Sequence, residues 1–172
     1  MKILVINAGS SSIKFQLFEM PEVRVAAKGM VERIGESEAA LSYTAGEQSL
    51  QRKVEAHDHQ QAMSVILQVL TDARIGAVKD IREIKAVGHR VVHGGEEFTG
   101  SVKIDDAVLK SIERFADLAP LHNPPNLTGI RAAQKALPHA LQAACFDTAF
   151  HSSIPQTAYL YGLPYEIYET YR

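Results

Sequence analysis

The stretch that decides the fold is Lys2 to Phe18, KILVINAGSSSIKFQLF. Ile3-Leu4-Val5-Ile6 is an apolar run of strand length, and Ile13, Phe15 and Leu17 then alternate with Lys14, Gln16 and Phe18 as a second strand does. Between them lies Asn7-Ala8-Gly9-Ser10-Ser11-Ser12, a turn. Gly9 permits a positive φ or a close approach to a ligand, and the three serines supply hydroxyl and amide donors with little bulk. Such a turn can hold phosphate, with Lys14 pointing to the same end as a point charge. It is neither a P-loop, which needs Gly-Lys-Ser/Thr running into a helix, nor the dinucleotide Gly-x-Gly-x-x-Gly. From these residues alone, an ordinary polar hairpin and a phosphate-gripping one both stand open.

The chain has 172 residues, of which 46% are hydrophobic and 22% charged, ordinary values for a soluble core and enough for one large domain or a lobe of a larger protein. A net charge of −2 implies no general polyanion-binding surface, so nucleic acid is not an expected partner. The N-terminus enters a strand directly, without a basic leader, and no apolar run approaches the roughly 18 residues of a membrane span. A cytoplasmic setting without a membrane partner is the expectation. Cys145, the only cysteine, sits in the apolar run Leu141 to Phe146 and is expected to be a small buried residue.

After the hairpin, Val23 to Ile34 and Ala39 to Ala56 carry strand composition, broken at Gly35-Glu36-Ser37 and Ala45-Gly46-Glu47. That gives about five strands with antiparallel neighbours. From Asp58 to Ala73, Met63, Ile66, Leu67 and Leu70 form one apolar helical stripe, with Asp58 as N-cap. His57 and His59 beside it are expected to be exposed. Asp105 to Ala119 is a second helix that stops before Pro120, and Leu127 to Leu137 is a third, with proline in its first turn and Asn123 or Asn126 as cap.

Three further segments carry candidate chemistry. In IKAVGHRVVHGG, Ile84 to Gly95, an extended backbone puts Arg90 and Val92 on one face and His89, Val91 and His93 on the other. A guanidinium fork beside a small apolar wall suits a carboxylate with a short acyl tail, or a phosphate; pairing with a structural acid is the alternative. The rigid Pro120-Leu121-His122-Asn123-Pro124-Pro125-Asn126 fixes Leu121 and His122 in place. The strand Leu141 to Phe146 ends at Asp147, and the carboxyl ends of core strands are where α/β sheets place their chemistry.

NAGSSSIK, GHRVVHGGE, LAPLHNPPN and FDTAFH resemble four motifs of the acetate and propionate kinases, within the superfamily of sugar kinases, Hsp70 and actin. Most of that superfamily has Asp where this chain has Asn7; the acyl kinases have Asn. The resemblance implies an α/β ribonuclease H-like, actin-like ATPase domain, a mixed sheet with antiparallel hairpins and flanking helices. It covers residues 1–172 as the N-terminal lobe of a two-lobe enzyme, so the C-terminal lobe is expected to be missing. With it would go the family's transition-state histidine, a second arginine, a magnesium-coordinating glutamate and the adenosine pocket. Family members are homodimers that pair largely through that other lobe.

By this resemblance the parent protein transfers the γ-phosphoryl of ATP reversibly to acetate, giving acetyl phosphate and ADP, with Mg²⁺; the piece alone would be inactive. Ser10, Ser12 and Lys14 would cradle phosphate, Asn7 would orient phosphate or a metal-bound water, and Arg90 would neutralise the carboxylate and the phosphoryl in flight. Val92 and Leu121 would wall the methyl pocket and His122 would lie over it, while Asp147 is assigned a catalytic role. A short carboxylic acid is already ionised at pH 7, so Asp147 suits orienting the metal or its water better than acting as a base. One methylene is worth only about 1–3 kcal/mol in such a pocket, so propionate and butyrate kinases remain alternatives. A non-catalytic actin-like nucleotide-binding module is the alternative of another class. The five tyrosines of Pro155 to Arg172 are expected to face a partner.

Overall fold

The protein, a computed structural model describing residues 1–171, is built on one mixed sheet. Its strands are β1 (Lys2–Ala8), β2 (Ser12–Glu19), β3 (Arg24–Glu32), β4 (Ala40–Ala45), β5 (Gln48–Lys53), β6 (Ile84–Val91), β7 (Val102–Lys103) and β8 (Leu141–Phe146). They lie in the order β5-β4-β3-β2-β1-β6-β8-β7. β1 to β5 form an antiparallel meander, whereas β6 runs parallel to β1 and β8 parallel to β6. The five early strands and their breaks match the expectation, as does the mixed character of the sheet.

The longer helices are α1 (His59–Leu70), α2 (Asp106–Arg114) and α3 (Asn123–Ala136); two short ones, α4 (Gln156–Tyr159) and α5 (Tyr165–Tyr171), follow β8. Asp58 caps α1 by accepting from the Gln61 amide at 2.7 Å, and Asp105 caps α2 by accepting from the Val108 amide at 2.9 Å. α2 is shorter than its periodicity implied. It tightens at Phe115–Leu118 into a 3-10 turn, and Pro120 cannot continue it.

All three longer helices lie on one face of the sheet. Leu4, Ile6, Ile13, Leu17 and Val87 meet Met63, Ile66 and Leu70 of α1 and Ala133 of α3 in the main core. A smaller core joins Val91, Ala144 and Phe146 to Ile112 of α2 and Ile130 of α3. At Gly129 α3 lies close against the sheet: a Cβ there would sit 2.4 Å from the Ala8 Cβ, so only glycine brings α3 this near the end of β1.

The opposite face is open, and this corrects the expectation for Cys145. The run Leu141 to Phe146 looked buried throughout, but with helices on one side only its alternate residues are uncovered. Cys145 is exposed and accepts a hydrogen bond from Ser101 Oγ at 3.2 Å. His59 is corrected in the other direction. It sits at the start of the apolar stripe of α1, is 8% exposed, and its Nε2 lies 2.7 Å from the Gly9 carbonyl oxygen. Neither Asn123 nor Asn126 caps α3, because the helix starts four residues earlier than its apolar spacing indicated and turns both side chains inward.

Candidate active site

The parallel strands β1, β6 and β8 end together, and each contributes one polar side chain at its carboxyl end. Asn7 is the penultimate residue of β1, Arg90 that of β6, and Asp147 follows β8. They are in contact. Arg90 Nε donates to both Asp147 oxygens at 3.0 Å, its Nη2 donates to Oδ2 at 2.6 Å, and its Nη1 donates to Asn7 Oδ1 at 3.4 Å. The side-on pairing with Asp147 raises the already high pKa of the guanidinium. Nη1 and Nη2 each keep one N–H free of these bonds, so the end of the fork can still meet a second anion.

Half-exposure tells what this pair is for. The side chains of Arg90 and Asp147 are 47% and 42% accessible, and an ion pair in that setting contributes at most about 1 kcal/mol to stability. Its structural value is small. What it achieves is orientation of the guanidinium at the mouth of the open face.

The hairpin stands beside this cluster. Asn7 pairs with Lys14 across the β1–β2 ladder, on the open face, and Lys14 is an exposed cation without an ion-pair partner among the described residues. Ser10 and Ser11 are exposed at the tip and Ser12 is half-buried. The Gly9 amide donates to the Ser12 carbonyl at 2.8 Å and closes the turn. From Asn7 and Lys14 a groove of about 600 Å³ continues over the open face past Gln16 and Lys28.

The other expected residues gather at the start of α3. β6 ends at Val91, so Val92 lies just past the strand, half-buried, and its amide donates to Asn126 Oδ1 at 3.1 Å. The next amide, of His93, donates to Asn123 Oδ1 at 3.1 Å. Leu121 is 79% exposed and His122 is exposed. Among the described residues no hydrogen bond joins either side chain to the Arg90 cluster, so contact geometry unites Asn7, Arg90 and Asp147 but not these two.

Sequence patterning missed His59, Asn123 and Asn126 as inward-facing groups. Each occupies an apolar-stripe position: His59 lies four residues before Met63, and Asn123 and Asn126 lie seven and four before Ile130. A polar residue on a buried stripe must find partners, and that was the available signal.

The profile of the acetokinase family matches residues 2–172. The chain belongs to the acetokinase family. It is 54% identical over 172 residues to an acetate kinase of Thermotoga maritima and 54% identical over 173 residues to one of Coprothermobacter proteolyticus. In both cases the whole chain is matched, but only 43% of the relative. The structure superposes on a Porphyromonas gingivalis acetate kinase with a TM-score of 0.93 at 44% identity, covering 98% of this chain and 43% of that one. A propionate kinase of Francisella tularensis gives 0.90 at 36% identity, covering 98% and 42%. This acetokinase chain therefore has the α/β actin-like ATPase fold, and it spans less than half the length of the relatives it matches.

A divalent cation is implied by the family, and the donor set bears on it. Asn7 Oδ1 and the Asp147 carboxylate are hard oxygen donors of the kind Mg²⁺ prefers. Among the described residues, however, no three His, Cys, Asp or Glu side chains converge, and Arg90 already occupies both donors. These residues fit a Mg²⁺ held mainly by phosphate oxygens and water, with Asn7 and Asp147 orienting its water shell, and do not fit an all-protein cage. No helix of the described residues is long and apolar enough to cross a membrane.

Proposed function

We propose that this chain is the N-terminal lobe of an acetate kinase, which transfers the γ-phosphoryl of ATP to acetate and forms acetyl phosphate and ADP, reversibly. The observation that carries this is the Arg90 fork, held side-on by Asp147 and Asn7 at the carboxyl ends of β1, β6 and β8, with its free end turned to the open face beside the hairpin.

Phosphoryl transfer needs in-line positioning and charge neutralisation more than covalent chemistry. Arg90 supplies the charge, binding the acyl carboxylate and then the equatorial oxygens as negative charge spreads over them. Asp147 fixes the plane of the guanidinium. It needs to take no proton, because the acetate carboxylate attacks in its ionised form. Ser10, Ser12 and Lys14 hold the nucleotide phosphates at the hairpin, Asn7 faces both groups, and Val92 with Leu121 and His122 closes the acyl side. Bound Mg²⁺ would neutralise phosphate charge, with Asn7 and Asp147 as its neighbours. The complete enzyme is proposed to be a cytoplasmic homodimer whose adenosine pocket lies beyond this lobe.

The test is a hydroxamate assay for acyl phosphate, run on this chain and on the complete enzyme with Mg-ATP and acetate, propionate or butyrate. Activity of the complete enzyme on acetate, with none from the lobe, is the expected result. Inactivity of the complete enzyme on all three acids would sink the proposal. Likeness to the propionate kinase favours propionate as the second substrate.

A further inference from the structure

We propose that Asn126 is a positioning residue for phosphoryl transfer, a buried amide that sets the spacing between the phosphate hairpin and the acyl-binding segment after β6. The proposal rests on the kinase reading above. Asn126 is 4% exposed. Its Nδ2 donates to the Ala8 carbonyl at 2.8 Å, and its Oδ1 accepts from the Val92 amide at 3.1 Å. Ala8 lies between Asn7 and Gly9 at the base of the hairpin, and Val92 lies two residues after Arg90. One side chain thus holds the backbone of both half-sites, each through a different end of the same planar group.

Two further features make this a fixed strut. Gly129, one turn along α3, lets the helix backbone lie against Ala8, where any Cβ would come within 2.4 Å. His59 of α1 holds the next carbonyl, that of Gly9, at 2.7 Å. Two consecutive carbonyl oxygens of the hairpin are therefore fastened on the helix side. An anion-binding turn requires this, because a carbonyl oxygen facing the phosphate would repel it.

Losing Asn126 leaves Ser10, Ser12, Lys14 and Arg90 in place, so each substrate still has its own contacts. What changes is the distance between the two half-sites, and an error near 1 Å in the reacting atoms costs about 100-fold in rate. The signature is a loss in kcat with little change in either KM, which a merely structural residue would not give.

The experiment measures steady-state kinetics of the complete enzyme as Asn126→Ala and as Gly129→Ala, with the folded fraction read by circular dichroism at the assay temperature. The Gly129 variant wedges α3 from the hairpin while removing no hydrogen-bonding group. We expect kcat per folded molecule to fall about 30- to 100-fold in both, with KM for acetate and for Mg-ATP within about threefold of wild type. A kcat within twofold of wild type, or a shift confined to one KM, overturns the proposal. So does failure of both variants to fold, which would make Asn126 a core residue only. Wild-type enzyme inactive on acetate, propionate and butyrate overturns the kinase reading itself, and this proposal with it.

Discussion

The two faces of the sheet share a backbone and divide its labour. On β1, Leu4, Ile6 and Ala8 turn toward the helices and are 4% exposed or less, while Val5 between them is 39% exposed and Asn7 reaches the site. On β6, Val87 and Val91 are buried and Arg90 is open. Alternation along a strand therefore separates stability from chemistry residue by residue. The covered face is apolar and satisfied. The open face gathers Gln16 with Lys14 and Lys28, two lysines without an ion-pair partner among the described residues, and the Arg90 fork paired with Asp147.

The sharpest way to break this division is Arg90→Ala in the complete enzyme. On the proposed kinase reading the fork is the charge that meets the phosphoryl group, so without it kcat is expected to fall about 1,000-fold, close to 4 kcal/mol of barrier. The melting temperature should move by less than about 3 °C, since the lost ion pair is half-exposed. A large drop in melting temperature would show that the open face also holds the fold. The converse is Leu4→Ala, which empties a fully buried position. Urea unfolding should show a loss of roughly 2–5 kcal/mol, with kcat per folded molecule unchanged.

Much of this arrangement was legible in the chain itself. Alternation in Lys2 to Phe18 predicts the hairpin, the stripe from Met63 to Leu70 predicts α1, and Arg90 and Asp147 stand out as candidate chemistry from their residue types and strand positions, whereas a role for Asn7 comes only with the family resemblance. Periodicity alone could not reveal which face the helices would cover. Leu141 to Phe146 is apolar except for Gln142 and has apolar residues on both sides, so its composition predicts a buried Cys145, and only the placement of α1, α2 and α3 on one face decides otherwise. The Arg90–Asp147 pair was equally hidden, because its members are 57 residues apart and meet through the β6–β8 register. The inward asparagines were obscured by Pro124 and Pro125, which made a cap seem their natural role.

The covered face makes its own prediction about acid. His89 is 2% exposed and its Nε2 lies 2.8 Å from Gln142 Oε1. The Gln142 amide nitrogen donates to the Leu137 and Ala140 carbonyls, so its oxygen accepts and His89 carries its proton on Nε2. Burial pushes the imidazole down to about 4, only partly offset by the Gln142 bond. The folded state thus prefers neutral His89. That stability is complete above the unfolded value near 6.5 and is lost as pH falls from 6.5 toward 4. About 2 kcal/mol should be gone by pH 4.5. Melting curves across this range should fall for the wild type and flatten for His89→Gln; equal slopes would place the acid sensitivity elsewhere.

The smallest effect sharpens the comparison most, because it asks how far the working part of the open face extends. Lys28 shares the groove with Lys14 but sits one strand further out, on β3 opposite Gln16. If the open face acts as a broad anion-attracting surface, Lys28→Ala should weaken Mg-ATP binding in proportion to the charge removed, and more so at low salt. If the chemistry is confined to the ends of β1, β6 and β8, the substitution should change KM for Mg-ATP by less than twofold and stability by less than about 0.5 kcal/mol. We expect the second outcome. Arg90, Asp147 and Asn7 are tied together by hydrogen bonds and Lys14 stands across the ladder from Asn7, whereas no such contact reaches Lys28 among the described residues. A salt-dependent rise in KM for Lys28→Ala would extend the site along the groove and make the meander part of nucleotide capture.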